Sequence, residues 1–123
     1  MKKILLVDDD KEFNGLLSTA LSPRGYIVTA VASGEEALTV VGTLNPDALL
    51  LDVKMPGMSG IETLRAIKKA HADFRTPVIV LTNDPSLDTI SEGAELGIRS
   101  YVMKANESMQ TIADTVDRLF AKK

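Results

Sequence analysis

Five residues of this 123-residue chain stand at the ends of short apolar runs and carry side chains that can do chemistry together. Asp8 and Asp9 follow Ile4-Leu5-Leu6-Val7, and Asp52 follows Ala48-Leu49-Leu50-Leu51. Thr82 follows Val78-Ile79-Val80-Leu81, and Lys104 closes the run from Ile98 to Met103. Three carboxylates brought close together repel one another, and a pKa rises unless a cation sits among them. Mg²⁺ suits such a set: it is hard, prefers oxygen, and is held by one or two carboxylates plus water and phosphate. With the cation present a carboxylate can act as a nucleophile and form an acyl phosphate. The transferring phosphoryl group carries dispersed negative charge, so the task is positioning and neutralisation. Lys104 supplies a mobile point charge. The Thr82 hydroxyl and the Asn83 backbone N–H can donate to phosphoryl oxygens. Asp52, inside the stretch DALLLDVKMPGMSG from Asp47 to Gly60, is the candidate acceptor.

These residues meet only if their runs are neighbouring strands of one parallel sheet, since all strand C-termini then lie on one edge. The intervening segments read as helices. Phe13, Leu16, Leu17, Ala20 and Leu21 recur at helical spacing, predicting a helix of about residues 10–21 with Asp10 as its cap. Ser22-Pro23-Arg24-Gly25 stops it. Tyr26 to Val31 is a second, mixed strand suited to a sheet edge. Ser33 and Glu36 have capping-box spacing before a second helix that Asn45-Pro46 ends, and Ser59 and Glu62 repeat that spacing before a third, to about His71. Asp84-Pro85 reads as a cap with proline at the first helical position. It opens a fourth helix with a thin stripe, Leu87, Ile90 and Ala94. The last helix, about residues 107–121, carries Met109, Ile112, Ala113, Val116, Leu119 and Phe120. Strand two alone ends without chemistry, in Ala32-Ser33, which places it outermost. The prediction is an α/β domain: a doubly wound five-stranded parallel sheet, (βα)5 and flavodoxin-like, in the order 2-1-3-4-5.

Length sets the expectation of a single domain over residues 1–123 with no output domain. The net charge of −3 and the dispersed basic residues argue against nucleic-acid binding by this chain itself. The absence of cysteine excludes disulfides and thiolate metal sites. No apolar stretch approaches the ~20 residues of a membrane span, and Ile4 to Val7 is too short for a secretion signal. The expectation is a cytoplasmic protein that does not engage membrane. No G-x-G-x-x-G follows the first strand, which counts against a dinucleotide.

The motifs ILLVDDD, LLLDVKMPGMSG, PVIVLTN and YVMK occur in that order. With them the chain, from Lys2 to about Ala121, resembles the receiver domain of two-component response regulators. The resemblance implies that Asp52 is the phosphorylation site. It implies that Asp9 and Asp52 ligate Mg²⁺ directly, Asp8 mostly through water, and Lys54 through its main-chain carbonyl. Thr82 and Tyr101 match the switch pair, in which the hydroxyl moves to the phosphoryl group and the ring turns inward behind it. The implied donor is a phosphohistidine on a sensor histidine kinase or a histidine phosphotransfer protein. Output, and any homodimer, would use the surface of the fourth helix, fifth strand and last helix. Such a domain is not an enzyme acting on a free metabolite: it catalyses its own phosphorylation and slow self-dephosphorylation. Two alternatives stand beside this reading. One is a receiver-like interaction domain that does not switch by phosphorylation. The other is a small phosphatase, whose nucleophile and acid Asp8 and Asp10 mimic in spacing, although no cap segment fits.

The chain departs from the family pattern at three places. Ala105 follows Lys104 where a proline in a cis peptide is usual. A non-proline cis bond costs about 3 kcal/mol, so a trans Lys104–Ala105 bond is expected. Asn83 stands where a small residue is usual, either crowding the site or pointing to solvent. Lys54 and Asp84 lie two residues after Asp52 and Thr82, where opposite charges can pair across the mouth. Such a surface pair is worth about 0–1 kcal/mol, and Lys54, Asn83 and Asp84 are the expected tuners of the phosphoryl group's lifetime. His71, the single histidine, is expected to be exposed and without a catalytic role.

Overall fold

The five apolar runs become five strands: β1 (Lys3–Val7), β2 (Ile27–Val31), β3 (Ala48–Asp52), β4 (Val78–Thr82) and β5 (Ile98–Met103). The computed structural model describes residues 1–83 and 96–121. All strand pairs are parallel, in the order β2-β1-β3-β4-β5, as the bland end of strand two predicts. Every residue of β3 and β4 is buried, and every residue of β1 except Lys3 is buried too. β2, at the edge, is mixed.

Alternation along the strands builds two cores. Ile4, Leu6, Leu50, Ile79 and Leu81 face α1 (Lys11–Leu21) and the last helix (Met109–Phe120). They pack there against Phe13, Leu17, Leu21, Ile112 and Val116. Leu5, Val7, Leu49, Leu51, Val78 and Val80 face α2 (Gly34–Leu44) and α3 (Gly60–Ala70), through Ala37, Val41, Leu64 and Ile67. Each fully buried aliphatic side chain contributes roughly 1.5–3 kcal/mol. The inner strands are buried on both faces, and the site residues sit at their ends.

Helix starts follow local chemistry with two adjustments. Asp10 caps α1, accepting from the Phe13 N–H at 3.1 Å. Ser59 and Glu62 form the complete reciprocal box at α3. At α2 only half of the expected box forms. Ser33 accepts from the Glu36 N–H, but the Glu36 carboxylate accepts from the Ala32 N–H at 2.6 Å, one residue further back. The last helix begins at Met109 rather than near Glu107, because Ser108 supplies the capping hydroxyl and residues 104–106 form a separate 3-10 turn. His71 also differs from expectation. It is half-buried against Gly42, where a Cβ would come within 2.9 Å of its ring. The predicted fourth helix, with Asp84, Leu87, Ile90 and Ala94, lies outside the described residues. Leu96 is buried in the second core.

Arg24, in the turn after α1, pairs with Asp114 and Asp117 of the last helix at 2.7 Å each. The Tyr26 hydroxyl donates to Asp117 as well. This cluster pins the last helix to the edge opposite the strand C-termini.

Candidate functional site

Strand register brings the reactive side chains to one place. Val7 lies opposite Leu51, so Asp8 and Asp52 leave the sheet side by side. Asp52 lies opposite Leu81 and Thr82 opposite Met103, which puts Lys104 one residue beyond Thr82. Asp8 is fully buried, and Asp52 and Thr82 nearly so, while Asp9 is exposed. One carboxylate oxygen from each of Asp8, Asp9 and Asp52 lies within 4.8 Å of the others. Lys104 Nζ donates to Asp8 Oδ2 at 2.6 Å and sits 4.3 Å from the centre of the Phe13 ring. Asp8 Oδ1 accepts from the Asp10 N–H at 3.0 Å. Buried Asn14 holds the Asp8 main-chain carbonyl through Nδ2 at 2.8 Å. A cavity of about 240 Å³ opens over this group, lined by Asp52, Lys54, Thr82, Asn83 and Lys104.

Burial pushes the Asp52 carboxyl up to about 7. The charges of Asp8 and Asp9 push the same way, against Lys104 and the Val53 N–H. That is the signature of a carboxylate cluster with too little positive charge. Two buried carboxylates and one open to water, all offering oxygen, match the ligands Mg²⁺ takes. The donor set therefore fits that ion.

The segment after Asp52 is shaped for close approach. Gly57 turns with φ +76°, a conformation other residues adopt only with strain. The Gly60 N–H then donates to the Val53 carbonyl at 2.8 Å. A Cβ at Gly60 would overlap the Asp52 carbonyl oxygen and press on Val53 Cα. Only glycine lets α3 start directly against the strand end that carries Asp52.

The structure thus gathers Asp8, Asp9, Asp52, Thr82 and Lys104 at one edge, with Lys54 and Asn83 at the cavity's rim. Tyr101 stands opposite Val80 on β5, half-buried among the residues of the second core. Asp84 is outside the described residues. The Lys104–Ala105 peptide is trans. Asn83 is exposed at the edge of the cavity, and its Oδ1 accepts from the Ala105 N–H at 2.9 Å. Phe13, Asn14 and Gly60 also support the site, in ways the sequence alone does not mark. Phe13 read as core stripe, although its place one turn into α1 directs it at the strand ends. Asn14 was visible as a polar residue beside that stripe.

Comparisons with known proteins bear on the family and the fold. The family described as response regulator receiver domain matches residues 4–117. The transcriptional regulatory protein CpxR of Escherichia coli K12 is 43% identical over 114 residues, covering 92% of this chain and 47% of that protein. The DNA-binding response regulator MtrA of Mycolicibacterium smegmatis is 35% identical over 118 residues, covering 96% and 50%. The chain spans about half the length of these curated relatives. Among solved structures, the Vibrio cholerae chemotaxis protein CheY4 superposes with a TM-score of 0.88 at 31% identity, covering 98% of this chain and 99% of that one. The response regulator TrrA of Thermotoga maritima, in complex with Mg²⁺-BeF, gives 0.80 at 32% identity, covering 98% and 100%.

Proposed function

Because the chain belongs to the family of response regulator receiver domains, we propose that Asp52 accepts a phosphoryl group from a partner's phosphohistidine. The partner is a sensor histidine kinase or a histidine phosphotransfer protein. The observation that carries this reading is the buried pair Asp8 and Asp52 with half-buried Lys104 and exposed Asp9, under a cavity open to a donor. An Asp52 carboxylate oxygen attacks the phosphorus and the P–N bond breaks. The electron pair returns to the imidazole, which takes up a proton. Mg²⁺, when bound by Asp8, Asp9, Asp52 and the Lys54 carbonyl, neutralises charge on the carboxylates and on the phosphoryl oxygens. Lys104 neutralises a further phosphoryl oxygen, and the Thr82 hydroxyl donates to another. Discharge is attack of water on the same phosphorus, releasing inorganic phosphate and the free carboxylate. Lys54 and Asn83 line the path that water must take, and with Asp84 they slow that step.

Output runs through the surface of residues 84–96, β5 and the last helix, with Thr82 and Tyr101 as its trigger. The homologous structure solved with Mg²⁺-BeF supports the choice of ion. The test is NMR titration with beryllofluoride, a phosphoryl mimic, in the presence of Mg²⁺. Shifts centred on Asp52, Thr82 and Tyr101, lost in Asp52→Asn, are expected. Spectra that do not change would favour a receiver-like interaction domain that does not switch.

A further inference from the structure

Two of the chain's departures from its family pattern touch one another. Asn83 directly follows Thr82 at the end of β4, and Ala105 directly follows Lys104 at the end of β5. The parallel ladder between these strands has its last paired residues at Thr82 and Met103. One step beyond, Asn83 Oδ1 accepts from the Ala105 N–H at 2.9 Å. A proline at 105 would have no N–H to give, and a glycine or alanine at 83 would have no side-chain oxygen to accept it. The bond needs both residues.

We propose that the Asn83–Ala105 hydrogen bond is a latch that positions Lys104 for the incoming phosphoryl group. This rests on the phosphoacceptor reading of Asp52. Lys104 Nζ must reach from Asp8, where it lies now, to a group held over Asp52 in the same cavity. Its reach is set by where its backbone is fixed. On one side β5 fixes it up to Met103. On the other, residues 104–106 form a short 3-10 turn whose start has no side-chain cap. The Asn83 side chain ties that turn to the neighbouring strand end. Asn83 is thereby a positioning residue: it acts on the phosphoryl group through Lys104, and it yokes the backbone beside Thr82 to the backbone beside Lys104. Its exposure means that removing it leaves no cavity in either core.

The experiment is a double-mutant cycle on beryllofluoride affinity at saturating Mg²⁺, far below the melting temperature. Asn83→Ala removes the acceptor and Ala105→Pro removes the donor. Each alone is expected to weaken beryllofluoride binding roughly three- to ten-fold, the range of one net hydrogen bond. The double variant is expected to be no weaker than either single one, because the same bond is lost. Affinity for Mg²⁺ alone should not fall in any of the three, since the carboxylates proposed to hold it, Asp8, Asp9 and Asp52, are untouched and a looser Lys104 competes less for Asp8; a merely structural loss would lower both affinities. Losses that multiply in the double variant, or variants that bind as the parent does, overturn the latch. So does tighter binding in Asn83→Ala, which would mean that Asn83 acts by crowding. A parent that does not bind beryllofluoride overturns the phosphoacceptor reading, and the latch falls with it.

Discussion

Lys104 Nζ lies 2.6 Å from Asp8 Oδ2, and Asp8 is wholly buried. The ammonium that would meet a phosphoryl group is engaged, in this state, in neutralising the innermost carboxylate of the site. A buried pair of this kind is costly to break from one side, because the remaining charge has no compensation. Lys104→Met should therefore destabilise the metal-free fold by about 3 kcal/mol, and Mg²⁺ should recover much of the loss by taking over the neutralisation of Asp8. Urea denaturation with and without Mg²⁺ measures both. An equal loss under the two conditions would show that Lys104 serves the fold by packing on Phe13 alone.

Asp52 makes the same imbalance visible through pH. In Mg²⁺-free buffer its carboxyl is pushed up to about 7 by burial first and by Asp8 and Asp9 after it. The folded state then holds a proton that the unfolded state releases near pH 4. Between those values the folded chain binds more protons, so stability falls as pH rises from about 4 to about 7. Asp52→Asn should flatten that slope and stabilise the metal-free protein above pH 7 by roughly 1–3 kcal/mol. Denaturation midpoints at pH 5 and pH 8 decide it, and a parent more stable at pH 8 would contradict the charge balance described here.

Gly60 and Gly15 should respond in opposite directions to the same change. Gly60→Ala drives a methyl into the Asp52 carbonyl and Val53, backbone that cannot rotate away. It should cost about 1–3 kcal/mol and slow phosphoryl acceptance by displacing Asp52. Gly15 lies inside α1 with nothing within 4 Å of its would-be Cβ, so Gly15→Ala should stabilise by about 0.5–1 kcal/mol. Thermal melts of the pair, with the phosphorylation rate beside them, separate a positioning glycine from an incidental one.

Asp117 offers a second pH signature at the far edge of the molecule. The Tyr26 hydroxyl, and then Arg24, hold its carboxyl below the usual carboxylate range. Its contribution is therefore complete above about pH 4 and is lost as pH falls through the lowered folded value. The side chain is almost half exposed, so the effect is screened, on the order of 1 kcal/mol or less. Asp117→Asn should lower stability at pH 7, and the difference from the parent should narrow as pH falls below about 4, as read by denaturant titration.

What was legible in the sequence was whatever is carried by continuous runs and by residues next to them. Ile4–Val7, Ala48–Leu51 and Val78–Leu81 are unbroken because both faces of the inner strands are covered. The residue that ends each run is then forced to the same sheet edge. The bland end of β2 likewise gave away its edge position. Contacts between distant side chains were not legible. The Glu36 carboxylate had a choice of two neighbouring N–H groups, and spacing alone could not tell Ala32 from Ser33. His71 met Gly42 only because α2 and the turn after α3 are adjacent in space. The Asn83–Ala105 bond needed the β4–β5 register, which no local pattern encodes. Asn83 and Ala105 each stand out singly in the sequence, and only the fold joins them.

The central claim is that Asp52 is a phosphoacceptor, and the most direct measurement is the mass of the protein after incubation with acetyl phosphate and Mg²⁺. The prediction is a gain of a single phosphoryl group per chain, mapped to Asp52, absent when Mg²⁺ is chelated and absent in Asp52→Asn. No gain in the parent under these conditions, or a gain that persists in Asp52→Asn, would contradict it.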